Sequence, residues 1–218
     1  MPTHGRSGLF VSFEGVEGSG KSTQVRALRE HLARRGVETV VSREPGGTPI
    51  GERLRSVLLD HAQRGMLPLT ELFLYLASRA EHVARVVGPA LERGAVVVSD
   101  RYADASTAYQ GGGRGLGWET VEPLNRLATG GVQPDITFLL DLDPEEGLSR
   151  FSGPGGRTGR DRIESEALEF HRRVRAAYLD AAKREPARFV VIDARRGPDE
   201  IALLVAARTD ELLTRRGL

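Results

Sequence analysis

The sequence predicts an α/β fold: a three-layer, doubly wound parallel sheet of about five strands. Two observations carry this. Short runs rich in Val, Ile, Leu and Phe alternate with longer stretches of helical periodicity along the 218 residues. Parallel strands covered on both faces read as such continuous apolar runs. The second observation is the join between the first apolar run and the first helical stretch, the glycine-rich Gly15-Val16-Glu17-Gly18-Ser19-Gly20-Lys21-Ser22-Thr23. Doubly wound sheets place their sites in such loops, at the carboxyl ends of the strands.

The elements follow in order. Strands are expected at 9–14, 39–42, 95–99, 136–141 and 189–193. Helices are expected at 21–35, 50–64, 69–93, 118–129, 144–150, 164–184 and 199–216. No internal repeat or linker divides the chain, so 1–218 reads as one domain, a size that single α/β domains reach routinely. The segment 151–162 stands apart, being dominated by Gly, Pro and Arg, and reads as a mobile loop between two helices.

Composition narrows the function. Lys and Arg number 31 against 30 Asp and Glu, which argues against a broad nucleic-acid or membrane surface. Cysteine is absent, which removes disulfides, thiolate metal sites and cysteine nucleophiles. No apolar run reaches the length of a membrane span, and residues 1–8 lack the apolar core of a signal peptide. A cytoplasmic location is the expectation.

Gly15 to Ser22 satisfies the template G-x-x-x-x-G-K-[ST] between a strand and a helix. Glycines let the backbone curl so that successive N–H groups point at a polyphosphate, and the following helix N-terminus adds partial positive charge. Lys21 suits the β- and γ-phosphates of a nucleoside triphosphate, and the Ser22 hydroxyl suits Mg²⁺. Gly15, Val16, Glu17, Gly18, Ser19, Gly20, Lys21, Ser22 and Thr23 are therefore expected to hold ATP. No Asn-Lys-x-Asp guanine motif is present. The strand 95–99 ends in Asp100-Arg101-Tyr102 rather than in two consecutive acids. Asp100 can hold Mg²⁺ and Arg101 a second anion, which suits a phosphate acceptor beside the nucleotide. Tyr75 and Arg79 are four apart and share a helix face. Ring and guanidinium suit a flat base and a phosphate, but taken alone the helix favours a core tyrosine and a surface arginine. Arg157, Arg160 and Arg162 cluster in the Gly-rich segment, where a closing basic loop supplies charge and excludes water.

The phosphate loop with its flanks, Phe13 to Thr23, resembles that of thymidylate kinases, of the P-loop NTPase, nucleoside monophosphate kinase type. So do Arg43-Glu44-Pro45-Gly46-Gly47-Thr48, Asp100-Arg101-Tyr102, Ala108-Tyr109-Gln110-Gly111-Gly112-Gly113-Arg114-Gly115, Pro134-Asp135-Ile136-Thr137 and Asp161-Arg162-Ile163-Glu164, in the family's order. The resemblance implies Mg²⁺-dependent transfer of the γ-phosphoryl group of ATP to dTMP, giving dTDP, by a homodimer. It implies that Glu17 faces the acceptor's 3′-hydroxyl and that Arg79 and Arg101 clamp its phosphate. Ser106, Tyr109 and Gln110 would line the base and sugar pocket with Tyr75, and Asp100 would lie near Mg²⁺. With no arginine between Gly15 and Lys21, the chain resembles the largely bacterial group that draws catalytic arginine from a lid, here 151–163. Arg157 best matches the lid residue, with Arg162 a second candidate. Tyr75 stands where the family generally has Phe, and Ala105 where many bacterial members have Ser.

A phosphate monoester has a second pKa of about 6, so such an acceptor needs charge neutralisation and alignment rather than a general base. The alternative is a deoxynucleoside kinase, whose neutral hydroxyl acceptor needs a base, a role open to Glu44.

Overall fold

Strand β1, Leu9–Glu14, is buried along its whole length. It lies at the centre of a sheet in the order β2-β3-β1-β4-β5, with every neighbouring pair parallel. The others are β2 (Thr39–Arg43), β3 (Val96–Asp100), β4 (Ile136–Asp141) and β5 (Phe189–Asp193). The computed structural model describes residues 7–152 and 161–218. Arg157, Arg160 and the middle of the expected lid lie outside them.

Side chains alternate across β1. Leu9, Val11 and Phe13 join a core with Leu28 of α1 (Lys21–Arg34), Val174 of α8 (Leu168–Arg184) and Val205 of α9 (Pro198–Arg216). Phe10 turns to the opposite face and packs with Val83, Val87 and Leu91. The edge strands β2 and β5 are only partly covered, as their position requires. From β1 the chain crosses to β2, while from β3 it crosses the other way to β4. The crevice between β1 and β3 is thus the switch point where doubly wound sheets bind ligands.

The helices depart from the expected spans in four places, each with a local cause. The expected helix 50–64 stops at Leu59, the end of α2 (Pro49–Leu59). The Asp60 carboxylate accepts from Ala62 N–H at 2.9 Å and starts a 3₁₀ turn, a local bond that competes with helix. The expected helix 69–93 is α3 (Pro68–His82), a π-helical stretch Val83–Val87 and α4 (Gly88–Glu92). Pro89 has no N–H to continue the ladder, and Gly88 N–H reaches back five residues to Val83 O. The expected helix 164–184 starts at Leu168. Before it, Asp161 Oδ1 accepts from the N–H groups of Ile163 and Glu164 while Glu164 Oε2 accepts from Asp161 N–H, closing a turn.

The fourth departure was not anticipated. Residues 103–113 are helical: α5 (Ala103–Ser106) runs into a π-helical stretch, Thr107–Gly113. Its glycines are packing devices, because a Cβ on Gly113 would lie 2.6 Å from the Phe170 ring and one on Gly112 2.4 Å from Ala177 Cβ. Absent side chains let α8 pack directly on this backbone. The remaining helices are α6 (Trp118–Thr129) and α7 (Pro144–Ser152).

Candidate active site

Strand register brings the site together. Phe13 pairs with Asp100, and Asp100 pairs with Arg43, so three strands end at one level. The phosphate loop leaves β1 there, Asp100-Arg101 ends β3, and Glu44 follows β2. A cleft of ≈ 290 Å³ opens over these ends. It is lined by Glu17, Gly18, Gly20 to Thr23, Arg43, Glu44, Tyr75, Arg79, Asp100, Arg101, Ser106, Tyr109 and Gln110. Gly18 in the loop has φ +72, and a Cβ there would meet Gly147 O at 2.2 Å, so only glycine fits.

Lys21 Nζ donates to Gly15 O at 3.0 Å and Val16 O at 2.9 Å, arching back over the loop. Burial and the nearby Arg101 charge lower its pKa to about 8, against the opposing pull of Asp100 and Glu17. Ser22 Oγ donates to Asp100 Oδ2 at 2.8 Å, so the two expected metal residues touch. Among the described residues no cluster of three or more His, Asp or Glu is arranged to hold a metal. One hydroxyl and one carboxylate, both hard oxygen donors, fit Mg²⁺, which keeps waters and takes its other ligands from substrate phosphates.

Arg101 has φ 70, the one non-glycine residue with positive φ among those described. Its N–H donates to Phe13 O at 2.9 Å, which helps hold this sparsely populated conformation at the mouth of the crevice. Nη1 donates to Gly15 O at 3.0 Å and Tyr178 OH at 3.2 Å, and Nη2 to Glu17 Oε1 at 2.9 Å. Nε–H and one Nη2 N–H are left for a ligand. Tyr178 OH donates to Glu14 Oε2 at 2.7 Å, while Glu14 Oε1 accepts from Tyr102 N–H at 2.7 Å. Burial, and then the charge of Asp104, raise the Glu14 carboxyl to about 8. Glu17 Oε1 also accepts from Tyr109 OH at 2.6 Å. Burial alone would raise the Glu17 pKa, but His171, Arg101, Lys21 and Tyr109 hold it far below the usual carboxylate range.

Arg79 is neither at the surface nor free. It is 1% exposed, with Nε donating to Glu44 Oε2 at 2.8 Å, Nη1 to Ser106 Oγ at 2.9 Å and Asn125 Oδ1 at 2.7 Å, and Nη2 to Tyr102 O at 3.0 Å. Of five guanidinium N–H groups one remains, so the expected bidentate phosphate clamp is replaced by a single donor. Glu44 is equally committed, with His82 Nδ1 2.8 Å from Oε1. Burial would raise its pKa, but Arg79 and His82 keep it below the ordinary value, which makes it a poor base.

Arg162 also departs from expectation. Instead of reaching into the cleft, it is buried with Nε donating to Leu58 O at 2.7 Å and Nη1 2.7 Å from Glu71 Oε2. Glu71 also accepts from Gln110 Nε2 at 2.9 Å and Arg114 Nη2 at 3.0 Å. An ion pair with a fully buried carboxylate outcompetes solvation of the loop, so Arg162 roots the turn at 161–166.

Arg55 of α2 was missed. It lines the cleft, half-buried, and its Nη1 donates to Pro45 O at 3.0 Å. Burial and the neighbouring Arg43 charge lower its pKa. The signal was there: Gly51, Arg55 and Leu58 follow at i, i+4, i+7, one helix face, and Gly51 and Leu58 are buried.

The thymidylate kinase family model matches residues 13–203. The thymidylate kinase of Desulfosudis oleivorans is 52% identical over 198 residues, covering 89% of this chain and 92% of that protein. That of Symbiobacterium thermophilum is 49% identical over 208 residues, covering 95% of each. A crystal structure of thymidylate kinase from Ehrlichia chaffeensis superposes with a TM-score of 0.76 at 34% identity, covering 93% of this chain and 98% of that one. Phosphate loop, paired strand ends and overall likeness agree: this chain belongs to the thymidylate kinase family.

Proposed function

We propose that the chain transfers the γ-phosphoryl group of ATP to dTMP. The observation that carries this is the placement of a second cation one strand away from the phosphate loop, with Arg101 Nη1 bonded to Gly15 O at 3.0 Å. Donor and acceptor phosphates would meet across that contact. Residues 15–23 cradle ATP, with Lys21 leaving its carbonyl partners for the β- and γ-phosphates and the α1 N-terminus adding positive charge. Arg101 and Arg55 hold the acceptor phosphate. Tyr75, Arg79, Ser106, Tyr109 and Gln110 enclose base and sugar, and Glu17 takes the 3′-hydroxyl. Ser22 and Asp100 would hold Mg²⁺, which when bound neutralises charge on the transferring phosphates. Arg157 supplies further transition-state charge, whereas Arg162 anchors.

The commitment of both Glu44 oxygens favours this reading over a deoxynucleoside kinase, which would need a free base. Exposed apolar side chains on the packed helices α2 (Ile50, Val57) and α3 (Leu69, Phe73) support a homodimer. Among the described residues no helix is long and apolar enough to cross a membrane. A cytoplasmic location follows from the substrates. A coupled assay of nucleoside monophosphates and thymidine with ATP and Mg²⁺ should show turnover of dTMP and none of thymidine. Arg101→Ala should lower kcat by roughly 10²–10³-fold. Turnover of thymidine without dTMP would overturn the assignment.

A further inference from the structure

Behind the phosphate loop, Glu17 Oε2 and both ring nitrogens of His171 are buried without hydrogen-bond partners among the described residues. His171, on α8, has a side chain 1% exposed and packs edge-on against Phe170 with centroids 5.3 Å apart. Its Nδ1 lies 3.4 Å from Glu17 Oε2, beyond a good N–H···O distance. Oε1 is already engaged by Tyr109 OH at 2.6 Å and Arg101 Nη2 at 2.9 Å. Three unpartnered polar atoms side by side are unfavourable in a site closed to water. Approach of Nδ1–H to Oε2 by a few tenths of an ångström relieves two of them.

We propose that His171 is a positioning residue for Glu17, its Nδ1–H fixing the buried oxygen Oε2 so that Oε1, held by the cleft-lining Tyr109 and Arg101, keeps one orientation toward the acceptor's sugar hydroxyl. A carboxylate has about four acceptor positions. Tyr109 and Arg101 engage Oε1 from the cleft and His171 engages Oε2 from behind, so the plane of the carboxylate is set from both ends. The inference rests on the reading of Glu17 as the 3′-hydroxyl contact.

Steady-state kinetics on the full chain with dTMP and 3′-deoxy-dTMP separate the two ideas. Wild type should prefer dTMP; equal use of both acceptors would overturn the Glu17 reading itself. His171→Phe keeps a ring and deletes the donor. It should raise KM for dTMP about tenfold, the worth of one buried hydrogen bond, with KM for ATP and turnover of 3′-deoxy-dTMP unchanged. His171→Asn, which puts an N–H near the Nδ1 position, should recover most of the loss. Equal effects on both acceptors, an equal rise in KM for ATP, or no effect would overturn the positioning role. A test on the unmutated ring is ¹⁵N–¹H correlation of wild type saturated with dTMP. An Nδ1–H tautomer with bare Nε2 is expected, and an Nε2–H tautomer sinks the proposal even if His171→Phe fails to fold.

Discussion

Lys21 carries the phosphate loop's pH response, while Glu14, raised to about 8 behind Arg101 and Tyr178, titrates in the same range. The Lys21 ammonium gives up water for two backbone carbonyls, and burial holds its pKa at about 8. Below that pH the group is charged and ready for phosphate; above it the free enzyme loses the charge. The ratio kcat/KM for ATP should therefore be flat to pH 8 and fall about tenfold per unit beyond, since this ratio reports the free enzyme's ionisations. Saturating ATP favours the ammonium, so kcat should fall only at higher pH, and a pH–rate series checks both. Lys21 and Ser22 were legible because both sit in one contiguous motif whose chemistry is local, and Asp100 because the strand-end run Asp100-Arg101-Tyr102 marks it, even though its partner Ser22 lies 78 residues away. Arg79 was not, because its partners Glu44, Ser106 and Asn125 lie 27 to 46 residues away and meet it only in the fold. Arg162 misled for the same reason, since loop composition gave no sign of Glu71.

Among the elements, the strands were read nearly residue by residue, because parallel strands buried on both faces leave an unbroken apolar signature. The helix α5 and its π continuation were not. Three consecutive glycines look like a turn in one dimension, and only the approach of α8 explains them as a packed surface. Gly113→Ala tests that explanation. Its Cβ would strike Phe170 and Val174 at 2.6 and 2.8 Å and displace the stretch bearing Tyr109 and Gln110. Urea unfolding should show a loss of about 1–3 kcal/mol, typical of overpacking, and KM should rise for dTMP more than for ATP.

For the whole molecule, the sheet order places the phosphate loop and Arg101 at one crevice, and α2 with α3 presents apolar side chains outward. Phe73, 52% exposed on α3, is the largest of these. Phe73→Glu should convert a dimer to monomers in light scattering after gel filtration, with the fold intact by circular dichroism. A monomeric wild type would refute the dimer. Glu17 has a consequence for the order and strength of binding. On the proposed reading it belongs to the loop that would receive ATP, yet its partners Arg101 and Tyr109 belong to the half that would receive the acceptor. The two substrates would then share a carboxylate and would not bind as strangers. Whatever factor dTMP imposes on the affinity for ATP, ATP must impose on the affinity for dTMP.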